Sequence, residues 1–230
     1  MSSVNSNPPE ERHKQLAKAA STGNERAIRK LVLESTWTSQ LDRDTLRRAL
    51  QSIAAYGYLD LSEFLIEHGA EVNRKRESEL SALYRAAENG RTELVKLLLK
   101  KGAETEAKDR YGRSALHLAA LKGFTDIVRL LLNADADPNA RDREGRTPLI
   151  HIAAARSGSW SEDVVGLLLQ KEAKEATMEA TDNTKRTPLQ WAIAMGDYGL
   201  AQLLLSGKFG KKANVMGKQL HKPRPYLRVC

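Results

Sequence analysis

A short motif returns along this chain at a nearly constant interval, and that periodicity restricts the fold more than any other feature. Ser81-Ala82-Leu83-Tyr84 is followed 33 residues later by Ser114-Ala115-Leu116-His117, after another 33 by Thr147-Pro148-Leu149, and after 40 by Thr187-Pro188-Leu189. Glycines keep the same interval: Gly57, Gly90 and Gly123 stand 33 apart, as do Gly69 and Gly102. Each of the first three follows a small pair (Ala54-Ala55, Ala86-Ala87, Ala119-Ala120) and precedes an apolar run, Leu61 to Ile66, Leu94 to Leu99 or Ile127 to Leu132. The pattern predicts a short helix packed closely through alanine, a turn that glycine permits, and a second amphipathic helix. Gly69, Gly102 and Asp135 mark the ends of the second helices, and polar runs such as Asp137 to Asp142 read as turn-rich connectors. A chain built from one repeated unit forms a stack in which each unit touches its neighbours.

These anchors resemble the ankyrin repeat. The fullest copy runs from Asp109 to Leu132 and holds Gly112, Ser114, Leu116, His117, Ala119, Ala120, Gly123, Ile127 and Val128 in the expected places. The resemblance implies an all-α solenoid of helix-turn-helix units joined by hairpin-like connectors. Units fall at about 9–43, 44–77, 78–110, 111–143, 144–183 and 184–214, so the resemblance spans about nine tenths of the chain. Residues 1–8, rich in Ser, Asn and Pro, are expected to be disordered, and 215–230 form a basic tail.

Departures from the repeat carry information. The first unit has charged residues (Glu11, Arg12, Lys14) in place of a Thr-Pro-Leu start, as a polar end cap requires. The fifth is widened around Arg156 to Trp160 and again between Lys171 and Asn183. In the sixth, Lys185 stands where Gly112 and Gly145 stand, so its turn is expected to be strained or differently shaped.

No enzyme signature is present: the chain lacks HExxH, the phosphate-binding Gly-x-x-x-x-Gly-Lys-Ser/Thr and Gly-x-Ser-x-Gly. One cysteine, Cys230, excludes an intramolecular disulfide and a CxxC metal site and suits a reducing compartment. It also lacks the three following residues that prenylation needs. The five histidines lie in different units without ligand pairing. By resemblance His117 bonds the neighbouring connector backbone, whereas His151, in the slot of Leu118 and Trp191, is expected to be partly buried or at the surface. Thr147 and Thr187, each followed by proline, read as helix caps, and Ser81 and Ser114 can cap likewise. No catalytic residue, metal site or cofactor is expected. No stretch reaches the length of a membrane span and no leader-like apolar run opens the chain, which predicts a soluble intracellular protein, cytoplasmic or nuclear.

Of the net charge of +8, seven charges lie from Gly207 onward: Lys208, Lys211, Lys212, Lys218, Lys222, Arg224 and Arg228, with no Asp or Glu among them. The repeats are therefore nearly neutral, and a general nucleic-acid surface is not indicated for the stack. Three readings of the tail stand open: a split nuclear-import signal, a segment that touches nucleic acid or anionic lipid, or a solvated end.

The resemblance implies a partner protein bound along a concave side of connector tips and first helices. Positions the fold does not need there include Arg110, Tyr111, Arg113, Lys122, Arg143, Arg146, Arg186 and Trp191. Arg113, Arg146 and Arg186 hold one slot in three successive units and form a ladder able to grip carboxylates, with Tyr111 and Trp191 as anchors. The alternative is that Asp109, Asp142, Glu144 and Asp182 offset these arginines. Trp160, in the widened loop, is either an exposed anchor or packed over helix ends. The expected function is a monomeric adaptor, scaffold or inhibitor that binds a protein, with an acidic segment of that protein as the expected contact of the arginines. A nuclear regulator of transcription and, more weakly, a ubiquitin-ligase substrate adaptor are the alternatives.

Overall fold

The computed structural model describes residues 9–34, 40–73, 79–155, 160–169, 178–209 and 213. Among them are twelve helices and no strand: α1 (Pro9–Ser21), α2 (Glu25–Leu33), α3 (Gln40–Ala54), α4 (Leu59–Glu67), α5 (Ala82–Glu88), α6 (Thr92–Lys100), α7 (Ala115–Leu121), α8 (Thr125–Asn133), α9 (Pro148–Ala153), α10 (Glu162–Leu169), α11 (Pro188–Met195) and α12 (Tyr198–Ser206). The odd-numbered helices each pack on the next odd-numbered one from α1 to α11, and α4, α6, α8 and α10 form a second row. The result is an all-α solenoid.

Alanine makes the first row possible. Ala82, Ala86 and Ala87 of α5 and Ala115, Ala119 and Ala120 of α7 are buried, so backbones approach closely and a short helix suffices. The second row contributes larger groups at helical spacing: Leu94, Val95 and Leu98, then Ile127, Val128 and Leu131, then Val164, Val165 and Leu168. One continuous core runs from Leu16 to Ala213.

Helix starts follow the capping chemistry read from the sequence. Thr147 Oγ1 accepts from Ile150 N at 3.3 Å, Thr187 Oγ1 from Gln190 N at 3.3 Å, and Ser81 Oγ from Tyr84 N at 3.1 Å. Pro148 and Pro188 occupy the first turn, where no backbone donor is needed. In α1, Glu10, Glu11, Lys14 and Lys18 are exposed while Leu16 and Ala20 are buried, the division expected of a polar end unit.

The second helix pair departs from the others. Helix α3 spans 15 residues, and Arg47 lies inside it, 1% exposed. Its guanidinium meets Glu79 of the following unit and lies 3.7 Å from Asp44.

Candidate protein-interaction face

The connectors from Asp109, Asp142 and Asp182 share one construction. The leading aspartate sits below the tip and accepts from the backbone ahead of it. Asp109 Oδ1 accepts from Tyr111 N and Arg113 N, both at 2.8 Å, Asp142 Oδ1 from Arg146 N at 2.8 Å, and Asp182 Oδ1 from Thr184 N at 2.8 Å and Arg186 N at 3.0 Å. A backbone bond closes each hairpin: Asp109 N to Arg113 O, Asp142 N to Arg146 O, Asp182 N to Arg186 O. Successive tips are then joined, Arg143 N donating to Tyr111 O and Asn183 N to Glu144 O, each at 2.9 Å.

This geometry decides what the arginine ladder does. Arg113 Nε donates to Asp109 Oδ2 at 2.8 Å, and Arg146 Nε to Asp142 Oδ2 at 2.8 Å with a further pair to Glu144 at 3.1 Å. Both guanidiniums therefore hold the connectors that carry them. Arg186 differs, because Trp191 Nε1 takes Asp182 Oδ2 at 2.8 Å and the Arg186 guanidinium lies over the indole, 4.7 Å from the ring centroid. Trp191 is 4% exposed and is a structural residue rather than an exposed anchor. Of the two readings of Trp160, the structure has the packed one: its Nε1 donates to Asp197 Oδ2 at 2.6 Å and its ring packs against the core, joining α12 to the segment before α10.

Two side chains link one unit to the next connector from the same motif position. The Tyr84 hydroxyl donates to Asp109 Oδ2 at 2.7 Å, and His117 Nε2 donates to Arg146 O at 3.1 Å. Because Ser114 N donates to His117 Nδ1 at 3.2 Å, the ring carries its proton on Nε2 and is neutral. Burial moves the Tyr84 hydroxyl well above its ordinary pKa, and the bond to Asp109 adds to that. Burial alone would raise Asp109, but hydrogen bonds from Arg113, Tyr84 and the backbone hold it below the usual carboxylate range.

His151 is buried, deeper than the partly buried or surface position expected from the sequence. Its ring meets His117 edge-on at 5.9 Å between centroids, and its Nδ1 is buried without a hydrogen-bond partner. Burial, then the Arg146 guanidinium and His117, push its pKa down to about 4.

What remains for a partner lies at the tips. Tyr111 is 43% exposed, with the Arg110 and Arg113 guanidiniums 4.8 and 4.9 Å from its ring centroid. Arg110, Arg143 and Lys122 are exposed. Lys185 keeps the turn of its neighbours: its φ is 66°, beside 78° at Gly112 and 75° at Gly145. The shape is preserved and the strain is real, of order 1–3 kcal/mol for a non-glycine residue. Its exposure as a cation was not read from the sequence, where a lysine in a glycine slot was the available signal. Of the basic tail, Lys208 is described and pairs with Glu162, whereas Lys211, Lys212, Lys218, Lys222, Arg224 and Arg228 lie outside the described residues. Residues 1–8 do also.

Among the described residues, no group of His, Cys, Asp and Glu is arranged to hold a metal, and no helix is long and apolar enough to cross a membrane. Paired helices in a row, tied through hairpin connectors, define a helical repeat protein. A family model for ankyrin repeats, in three copies, matches residues 74–142 and 136–216, more than half the chain. The chain belongs to the ankyrin repeat family. A search of curated proteins found no match. Ankyrin repeats generally mediate protein–protein interaction, and proteins built from them are typically non-enzymatic.

Proposed function

We propose that this chain is a non-enzymatic adaptor, scaffold or inhibitor that holds a partner protein against its connector tips and first helices. In this reading the repeat units run at about 9–43, 44–77, 78–110, 111–143, 144–183 and 184–214, and the binding side belongs to the last three. The observation that carries the reading is Tyr111, an exposed aromatic flanked by two guanidiniums on a rigid connector, where it contributes nothing to the core. Aromatic and arginine side chains so placed are the usual anchors of interfaces. Arg113 and Arg146 take part at the edge of the site, since their main work is within the connectors.

A photoreactive residue placed at Tyr111, Lys122 or Arg143 is expected to yield partner adducts in cells. The same residue at Lys96 or Arg129, exposed on the second helices, is expected to yield none. Adducts confined to the second-helix positions would refute the assignment.

A further inference from the structure

Among the described residues, two that are not glycine adopt a positive φ: Asp135 at a helix end and Lys185 on a connector tip. Short polar aspartate tolerates the left-handed region; lysine has no such local compensation. A Cβ on Gly112 would lie 2.8 Å from Arg143 N, so glycine is obligatory where another connector follows. Lys185 is exposed, so its side chain has room while the backbone strain stays in place. A strained, exposed residue with no ion pair among the described residues points to a use for what its side chain presents.

Arg110 and Arg143 are exposed on the two preceding tips, and no carboxylate pairs with them or with Lys185 among the described residues. The acids nearby are already engaged: Asp109 by Arg113, Asp142 and Glu144 by Arg146, Asp182 by Trp191 and the backbone ahead of it. Three consecutive tips thus present three cations without a carboxylate partner among the described residues. Stacked helices repeat at roughly 8–10 Å, and the backbone bonds between tips hold the connectors, and with them Arg110 and Arg143, to the same rise; Lys185 stands two residues beyond Asn183, which holds the arginine column in the third tip.

We propose that Arg110, Arg143 and Lys185 dock an extended acidic segment of a partner protein, with a carboxylate at every third residue. The inference rests on the partner-binding reading above and adds the chemistry and register of the partner. An extended chain advances about 3.3 Å per residue, so three residues span one repeat. Tyr111 offers an apolar edge beside the first cation. A nucleic-acid backbone fits less well: its charges are more closely spaced, Glu144 interrupts the row, and seven of the eight net charges lie from Gly207 onward.

Fluorescence anisotropy with the full chain tests this, using a labelled twelve-residue Ser/Gly peptide with Glu at positions 3, 6 and 9. Controls are a peptide of the same composition with contiguous Glu and a twelve-nucleotide single strand. The spaced peptide is expected to bind at least tenfold tighter than the contiguous one. The combined R110S, R143S and K185G changes are expected to weaken it at least tenfold. K185G alone should weaken binding while raising the unfolding midpoint, a pairing that a purely structural role would not give. Equal affinity for both peptides, indifference to the triple change, or an oligonucleotide affinity that the triple change lowers more than that of the spaced peptide would overturn the proposal. If photo-adducts still map to Tyr111 and Arg143 in that event, the interaction reading stands and the acidic register alone falls.

Discussion

Replacing His151 by leucine should make the protein markedly less sensitive to acid. The equivalent slot of the preceding unit holds Leu118, also buried, so leucine has a precedent in the same packing environment. In the folded chain the imidazole is neutral, with a pKa near 4, against 6.5 when exposed. The unfolded chain therefore binds more protons between those values, so stability is full above 6.5 and is lost as pH falls toward 4. Applied at pH 5, that linkage removes about 2 kcal/mol relative to pH 7.5. Urea titrations of both proteins at pH 7.5 and 5.0 measure it. Asp109, held below its ordinary pKa, and His117, lowered by burial, add acid losses of the same sign in both proteins, so the difference isolates His151. The leucine variant should retain about 2 kcal/mol more of its stability at pH 5. It should be no less stable at pH 7.5, because a buried nitrogen without a partner has been removed. Parallel losses in the two proteins would show that the ring titrates as an exposed one does.

Other substitutions probe the connectors and the core. Asp109→Asn leaves the Arg113 guanidinium without its ionic partner and should cost about 3 kcal/mol by chemical denaturation. Lys185→Gly relieves the left-handed strain and should stabilise by about 1 kcal/mol in the same assay. Trp160→Phe removes the bond to Asp197, with an expected loss of about 1 kcal/mol and of part of the indole emission change on unfolding. Leu131→Ala, at a fully buried position of α8, should cost 2–5 kcal/mol, about the usual cost of a core cavity.

The scaffold was legible because its determinants are local and repeated. A Thr-Pro pair announces a capped helix wherever it occurs, and alanine pairs before glycine announce close packing and a turn. The site was legible only as a set of positions. Arg113 and Arg146 sit in the same column as Arg186, and sequence alone assigns all three the same role. What separates them is Trp191, nine residues beyond Asp182, whose indole takes the carboxylate oxygen that arginine takes elsewhere. That exchange depends on the fold of a connector against a helix, which spacing does not reveal. His151 was read as partly buried or at the surface for a related reason: its burial depends on tertiary contacts such as the edge of the His117 ring, which spacing does not reveal. Arg47 shows the reverse. It precedes the position equivalent to Ser81, but lies inside α3 instead of on a hairpin, so its charge is turned toward Glu79.

The connector residues divide into those that hold the stack and those proposed to meet a partner. The decisive measurement is unfolding free energy and peptide affinity on one set of variants. Arg110→Ser and Arg143→Ser should leave stability within about 0.5 kcal/mol of the parent, as surface changes do, while weakening the spaced acidic peptide together by about tenfold. Asp109→Asn should lower stability by several times that amount. If the tip substitutions destabilise the fold as strongly as Asp109→Asn, or leave affinity unchanged, the division does not exist and the proposed binding face is wrong.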